Sequence, residues 1–514
     1  MGGYSVIALD KFIQATRDSG YKGTVSAISE LVDNSIQAKA SNVEITIRKV
    51  QEIEEHPIVV SVVDDGHGMD SVTLRQSLRF GGTTRFGDRH GLGRYGMGLP
   101  NASLSQARRV EVYSWRKSGA IFRSYLDVGE IVAGVMNEVP KPSSAELPKW
   151  VEKPHTPSGT AVVWTECDRL DNRRASTIDR RIRTLLGRVY RYFLWDGIKI
   201  VVNGEAVVPL DPLFVRQPSL TSGGELFAEA LEFEVRAPSS HGHGQTGKIT
   251  VKFSELPVQL WHDLPNDEKR RLGISNGAGV SVVRGGREID YGWFFLSGKR
   301  RENYDDWWRA EVSFEPVLDE LFGITHTKQE IHPSDGLLEV LEPEMTNIAR
   351  ALNGRVRQLH LSLAAAQKSR TAEEVAKRKD AHLRDSVRVL DDPEQATLVE
   401  RLKRRHPELL ADSDGGRAYH IVEDDMAGTD FMWPIIESDR ITVVLNPRHR
   451  FYSQLYRPLV QGESVQPQEL LQRLQLLLIA ASRAEAAAST AAEREAIRRF
   501  RREWSEVLEL FLRP

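Results

Sequence analysis

The stretch "ISELVDNSIQA", residues 28–38, sets Glu30 and Asn34 four apart, so a helix brings them onto one face with Asp33 and Gln37 beside them. Ile28, Leu31, Val32 and Ile36 supply the apolar stripe that such a helix turns to a core. Taken alone, polar residues at this spacing are more often a solvated face than a site. Three further segments change that balance. After the apolar strand "IVVSVV" comes "DDGHGMD", where Gly66 and Gly68 permit a tight turn close to a ligand and Asp65 offers a carboxylate at a strand end. Asp70 suits the N-cap of the next helix, a structural task. In "GLGRYGMGLPNASLSQA", Gly91, Gly93, Gly96 and Gly98 run into a helix predicted to begin near Pro100 or Asn101, and unpaired N–H groups at a helix start suit a polyphosphate. A dinucleotide-binding reading of these glycines lacks the βαβ unit and the acidic residue it needs. Thr160 in "SGTAVVW" places a hydroxyl at a strand start, within reach of a base or its bound water.

Around these segments helices and strands alternate from residue 24 to about 205, which predicts a mixed α/β domain. "VVPLDPLF" then leads into the strand-rich "LEFEVRAP", "KITVKFSEL", "GVSVVRGGREI" and "WRAEVSFEP". Long polar helices are expected from 338 to about 410, and a last module opens on strand-like "AYHIVEDD". Its final helix carries Ile497, Phe500, Trp504, Val507, Leu508 and Phe511 on one apolar side. The expected division is 1–205, 206–337, 338–410 and 411–514. "GHGQTGKIT", residues 242–250, nearly spells a P-loop, but Ile249 occupies the hydroxyl position and a strand follows where a helix is needed.

The 514 residues are 40% hydrophobic and 27% charged, as expected of a soluble globular chain of several domains. With 69 Lys+Arg against 72 Asp+Glu the net charge is −3, which gives no global attraction to nucleic acid or anionic membrane. Basic "RLKRRH" (401–406) and "RRFRRE" (498–503) read as solvated helix faces, and acidic "VEDDM" lacks partners for a metal site. One cysteine, Cys167, excludes an intramolecular disulfide and suggests a reducing, cytoplasmic setting. No secretory leader or membrane span is predicted.

The ordered set "ELVDNSIQA", "DDGHGM", "GLGRYGMGL" and "SGTAV", over about residues 24–165, resembles the four ATP-binding motifs of the GHKL or Bergerat-fold ATPases: gyrase, heat-shock chaperones, histidine kinases and MutL. The resemblance implies ATP and Mg2+ as cofactors, with Asn34 as the metal ligand and Glu30 as the base that deprotonates the attacking water. It further implies that Asp65 accepts the adenine amino group, that Gly68 and Met69 line the base, and that Thr160 holds the base edge through water. Gly91, Gly93, Gly96, Met97 and Gly98 would form the lid over the phosphates.

Only 29 residues precede Glu30, too few for the phosphoacceptor helices of a histidine kinase, so hydrolysis is expected. "GITHTKQEI", residues 323–331, resembles the transducer loop of gyrase, MutL and MORC ATPases, which makes Lys328 the expected contact to the γ-phosphate. "LRFGGTTRFGD" resembles an F-G-x-S-x-K element of MORC proteins, with Thr83 for the serine and Arg85 for the lysine. Gln37, where many relatives carry an acid, and Lys39, where many carry glycine, are departures. The resemblance implies a Bergerat-fold α/β sandwich, a transducer-like α/β domain, a helical arm and a small C-terminal α/β module. It implies a homodimer gated by ATP, acting on DNA or with a protein of an antiphage defence system, or else a chaperone-like or scaffolding ATPase.

Overall fold

The computed structural model describes residues 8–21, 23–50, 55–82, 97–116, 120–152, 156–237, 245–324, 330–380, 382–383, 399–402, 417–426, 428–462 and 465–513. They form two compact units, residues 1–257 with 264–352 and residues 258–263 with 353–514. The architecture is mixed α/β, as expected.

In the first unit, period-two runs of Val and Ile build a sheet from β1 (Asn42–Lys49), β2 (Ile58–Asp64), β3 (Arg109–Trp115), β4 (Ile121–Asp127), β5 (Ser143–Ser144), β6 (Gly159–Thr165), β7 (Lys199–Val202) and β8 (Glu205–Ala206). The strand order is β5-β4-β3-β6-β2-β1-β7-β8. All neighbours are antiparallel apart from β1 and β7. The helices that accompany this sheet are α1 (Leu9–Ser19), α2 (Thr24–Gln37), α3 (Ser71–Ser77), α4 (Gly98–Gln106), α5 (Val128–Val132), α6 (Ala175–Val189) and α7 (Arg191–Trp195).

On one face of the sheet, Ile28, Leu31 and Val32 of α2, Leu104 of α4 and Ile182 of α6 pack with Val60 and Val62 of β2 and Val110 and Val112 of β3. Each such side chain contributes about 1.5–3 kcal/mol on burial. Val63, Tyr113 and Ala161 face the other way, into a smaller cluster closed by Leu147, Trp150 and Val151. Strand parity therefore decides which β2 residues meet α2.

A second sheet comprises β9 (Glu225–Leu226), β10 (Leu231–Arg236), β11 (Thr246–Glu255), β12 (Val280–Arg284), β13 (Arg287–Gly292) and β14 (Trp308–Phe314), ordered β10-β11-β14-β12-β13 with β9 on β11. The near P-loop runs into β11, paired antiparallel with β10, so from Thr246 on it is hairpin strand; residues 242–244 lie outside the described residues. Leu337, Leu341, Met345 and Ala349, in the first turns of the helix Asp335–Asp380, close the core of this sheet.

Buried charge ties the two sheets. Arg191 of α7 is fully buried and donates to Glu288 of β13 at 2.9 Å and to Glu311 of β14 at 2.5 Å. Arg188 meets the other oxygen of Glu288 at 2.6 Å, while Ser281 donates to Glu288 and Tyr192 to Glu311. Burial works against the Arg191 charge, but Glu311 and Glu288 outweigh it and hold its pKa above the ordinary arginine value.

The second unit contains β15 (Ala418–Glu423), β16 (Met432–Ile436) and β17 (Arg440–Leu445), ordered β15-β17-β16. Its last helix, Ala491–Phe511, turns the expected apolar side mostly outward: Phe500, Trp504, Val507 and Phe511 are 64%, 38%, 46% and 77% exposed. Polar ties set that rotation. Arg501 donates to Glu485, and the Phe431 N–H donates to the Ser505 hydroxyl at 3.1 Å, so Arg501, Ser505 and Leu508 face the module instead.

Replacing Arg191 with Met leaves Glu311 with one hydroxyl donor in a dry interface. A loss of about 3–5 kcal/mol in urea denaturation is expected, and wild-type stability in Arg191→Met would reject this role for the network.

Candidate functional site

Glu30 is buried on α2 and accepts a hydrogen bond from the Tyr21 hydroxyl at 3.0 Å. The start of α4 closes against the same carboxylate: a Cβ on Gly98 would lie 1.9 Å from Glu30 Oε1. Glycine is thus required there for the first turn of α4 to approach, and the approach sets the positive end of a helix beside an acid. Asn34 is half-buried one turn further along α2, and its amide makes no hydrogen bond among the described residues. Met97 holds the N-cap position of α4, which starts at Gly98, two residues before Pro100.

The two aspartates at the end of β2 part company, Asp65 being the one expected to accept the adenine amino group. Asp65 turns to the loop after α2, accepting from Ser41 N–H at 2.7 Å, the Ser41 hydroxyl at 2.6 Å and Asn42 N–H at 2.9 Å. Asp64 shares strand parity with Val60 and Val62, so it faces α2, where it is buried and accepts from the Ser35 hydroxyl at 3.0 Å and Gly66 N–H at 2.9 Å. Counting alternation inward from Val60 and Val62 was the sequence signal that separates them. Burial raises the Asp64 carboxyl above the usual aspartate range, against the lowering effect of Gly66 and Ser35.

Thr160 lies opposite Asp64 in the register of β2 and β6, with its hydroxyl 3.3 Å from that of Ser114. The Ser114 hydroxyl also takes the Met69 N–H at 2.7 Å, so Met69 comes to the same end of the sheet. Between them Gly68 adopts φ +65°, and a Cβ there would sit 2.2 Å from the Trp115 carbonyl oxygen. Asp70 caps α3 by accepting from Thr73 N–H at 2.8 Å. Lys39, beyond the end of α2, has φ +61°, a conformation glycine adopts more easily.

Glu30, Asn34, Asp64, Gly68, Met69, Gly98 and Thr160 therefore belong to one α2–α4 and β2–β6 framework. Thr83, Arg85, Gly91, Gly93, Gly96 and Lys328 lie outside the described residues. Tyr21, Ser35 and Ser114 escaped the sequence reading because their partners, Glu30, Asp64 and Thr160, are set by packing between segments. Among the described residues no group of three His, Cys, Asp or Glu side chains is placed to hold a metal. In "VEDDM", Glu423, Asp424 and Asp425 are each engaged, by Tyr452, Arg401 and Arg448.

An aspartate whose folded pKa is raised contributes stability below its unfolded pKa and loses it as pH rises through the folded value. Ionised Asp64 is therefore a cost at neutral pH. Asp64→Asn should raise the thermal midpoint there, with the gap to wild type narrowing towards about pH 4; a lower midpoint at neutral pH would contradict the assignment.

No curated protein matches the chain. Among the described residues no helix is long and apolar enough to cross a membrane. Residues 21–160 match the family model described as Histidine kinase-, DNA gyrase B-, and HSP90-like ATPase, a segment that opens at Tyr21, closes at Thr160 and encloses Glu30, Asn34, Asp64, Met69 and Gly98. This part of the chain is therefore similar to ATPase domains of the GHKL kind.

Proposed function

We propose that the chain is a Mg2+-dependent ATPase of the MutL- and MORC-like branch, in which hydrolysis cycles a homodimer between open and closed states. The carrying observation is the Glu30 carboxylate, buried, oriented by the Tyr21 hydroxyl and set against the start of α4, with Asn34 one turn away. In this reading Glu30 orients the attacking water and takes its proton. Asp64, in place of Asp65, receives the adenine amino group. Met69 packs on the base above the Gly68 turn, and Thr160 holds the base edge through water.

The Asn34 amide oxygen, together with phosphate oxygens, is the hard donor set that Mg2+ prefers, and the ion would neutralise phosphate charge there. Thr83, Gly91, Gly93, Gly96, Met97 and Gly98 are assigned to the phosphate lid, and Lys328 to the γ-phosphate from the second domain. The working division remains an ATPase domain at 1–205, a transducer-like domain at 206–337, a helical arm at 338–410 and a C-terminal module at 411–514. The proposed setting is the cytoplasm, and the proposed ligand of the closed dimer is DNA in antiphage defence.

The test is ATP hydrolysis by the full chain with and without duplex DNA. Glu30→Gln should retain ATP affinity and lose about 10²–10⁴-fold in turnover, and near-normal turnover would reject the base. Asp64→Asn should lose ATP binding where Asp65→Asn keeps it; the reverse pattern would restore Asp65. Turnover and mass that are both indifferent to DNA would remove DNA as the ligand and direct attention to a protein partner.

A further inference from the structure

We infer that Arg287, delivered by the second sheet, is a positioning residue for the helix that carries Glu30, so that docking of this sheet sets the hydrolytic geometry. The inference rests on the ATPase reading above. Arg287 opens β13, directly after the tight turn at Gly285 and Gly286, whose φ values are +53° and +86°. The side chain is buried and donates from Nε to Asp33 Oδ1 at 2.7 Å. That oxygen lies 2.7 Å from the Tyr190 hydroxyl, which is also 2.6 Å from the Ser29 carbonyl oxygen.

Ser29 and Asp33 bracket Glu30 on α2. Arg287 and Tyr190 thus grip the helix on either side of the proposed base, from elements remote in sequence. A carboxylate fully buried, as Asp33 is, needs such a partner: taking the guanidinium away strands a charge in a dry interior. Burial works against the Arg287 charge, yet Asp33, Tyr190 and Glu30 together raise its pKa above the ordinary arginine value, which places Glu30 within its electrostatic reach.

Stability alone does not account for the placement. Arg191 and Arg188 already anchor the second sheet through Glu288, the neighbour of Arg287. A second buried pair contributes little net stability over an apolar contact, but this one is fixed to the turn of α2 that presents Glu30. β13 reaches in the other direction as well, because Asp290 accepts the Ile331 N–H at 3.2 Å, just beyond the segment that contains Lys328. One strand is therefore bonded both to the Glu30 helix and to the chain that follows the proposed phosphate-contacting lysine.

The experiment measures ATP turnover and binding of a nonhydrolysable ATP analogue by the full chain carrying Arg287→Gln, Asp33→Asn, both together, or Arg287→Lys. Expected are a fall in kcat of about 10- to 100-fold with KM and analogue affinity within about twofold of wild type. The double variant should be no slower than either single one, since the two residues act as a unit, and Arg287→Lys should recover part of the rate. Should a single variant fail to fold, the neutral pair Asp33→Asn with Arg287→Gln, which strands no charge, carries the test. Folded variants with wild-type kcat, or with analogue affinity lost in step with rate, overturn the inference. An inert wild type overturns the ATPase reading itself, before any variant is compared.

Discussion

Three arginines and three carboxylates, Arg188, Arg191 and Arg287 against Asp33, Glu288 and Glu311, form the constraint around which the first unit is arranged. Five of the six are buried, and their charges balance. Net stability is a poor explanation for such a cluster, because desolvating each ion costs several kcal/mol and returns little beyond an apolar contact. Geometry is a better one. A buried ion must keep its partner at hydrogen-bond distance, so Glu288 and Glu311 fix β13 and β14 against α7, and Arg287 fixes the same strand against α2. Apolar packing would allow these surfaces to slide; paired charges do not.

The same economy governs the site. Its carboxylates are placed by what surrounds them: Glu30 by a tyrosine hydroxyl and a glycine that admits a helix end, Asp64 by Ser35 and the Gly66 amide. Asp64 bears a desolvation cost because it faces α2, where burial raises its pKa. Asp65, one residue on, is more comfortable because three donors of the α2–β1 loop lower its pKa against a smaller burial penalty, and it is correspondingly turned away. One carboxylate held at a cost beside another held at a gain is the pattern expected where function and stability compete.

Local sequence made much of this legible. The spacing of Glu30 and Asn34 over an apolar stripe specified α2, glycines marked the turn after β2 and the start of α4, and the strand after Thr246 disposed of the P-loop spelling. Each of these is a matter of period or backbone conformation within a dozen residues, and four such segments in order carried the ATPase resemblance that the family match at residues 21–160 bears out.

What the chain could not announce locally is every contact between segments far apart. Whether Asp64 or Asp65 faces α2 depends on which face of β2 the helices cover. Whether Phe500 and Phe511 point in or out depends on where Arg501 finds Glu485. That Arg287 belongs to Asp33 depends on two sheets docking in one register. Sequence by itself determined the elements and their chemistry, because helix and strand periods and glycine conformations are local. Tertiary structure alone decided which carboxylate faces α2, which face of the last helix turns inward and which arginine meets Asp33, because burial and charge pairing are properties of neighbours in space.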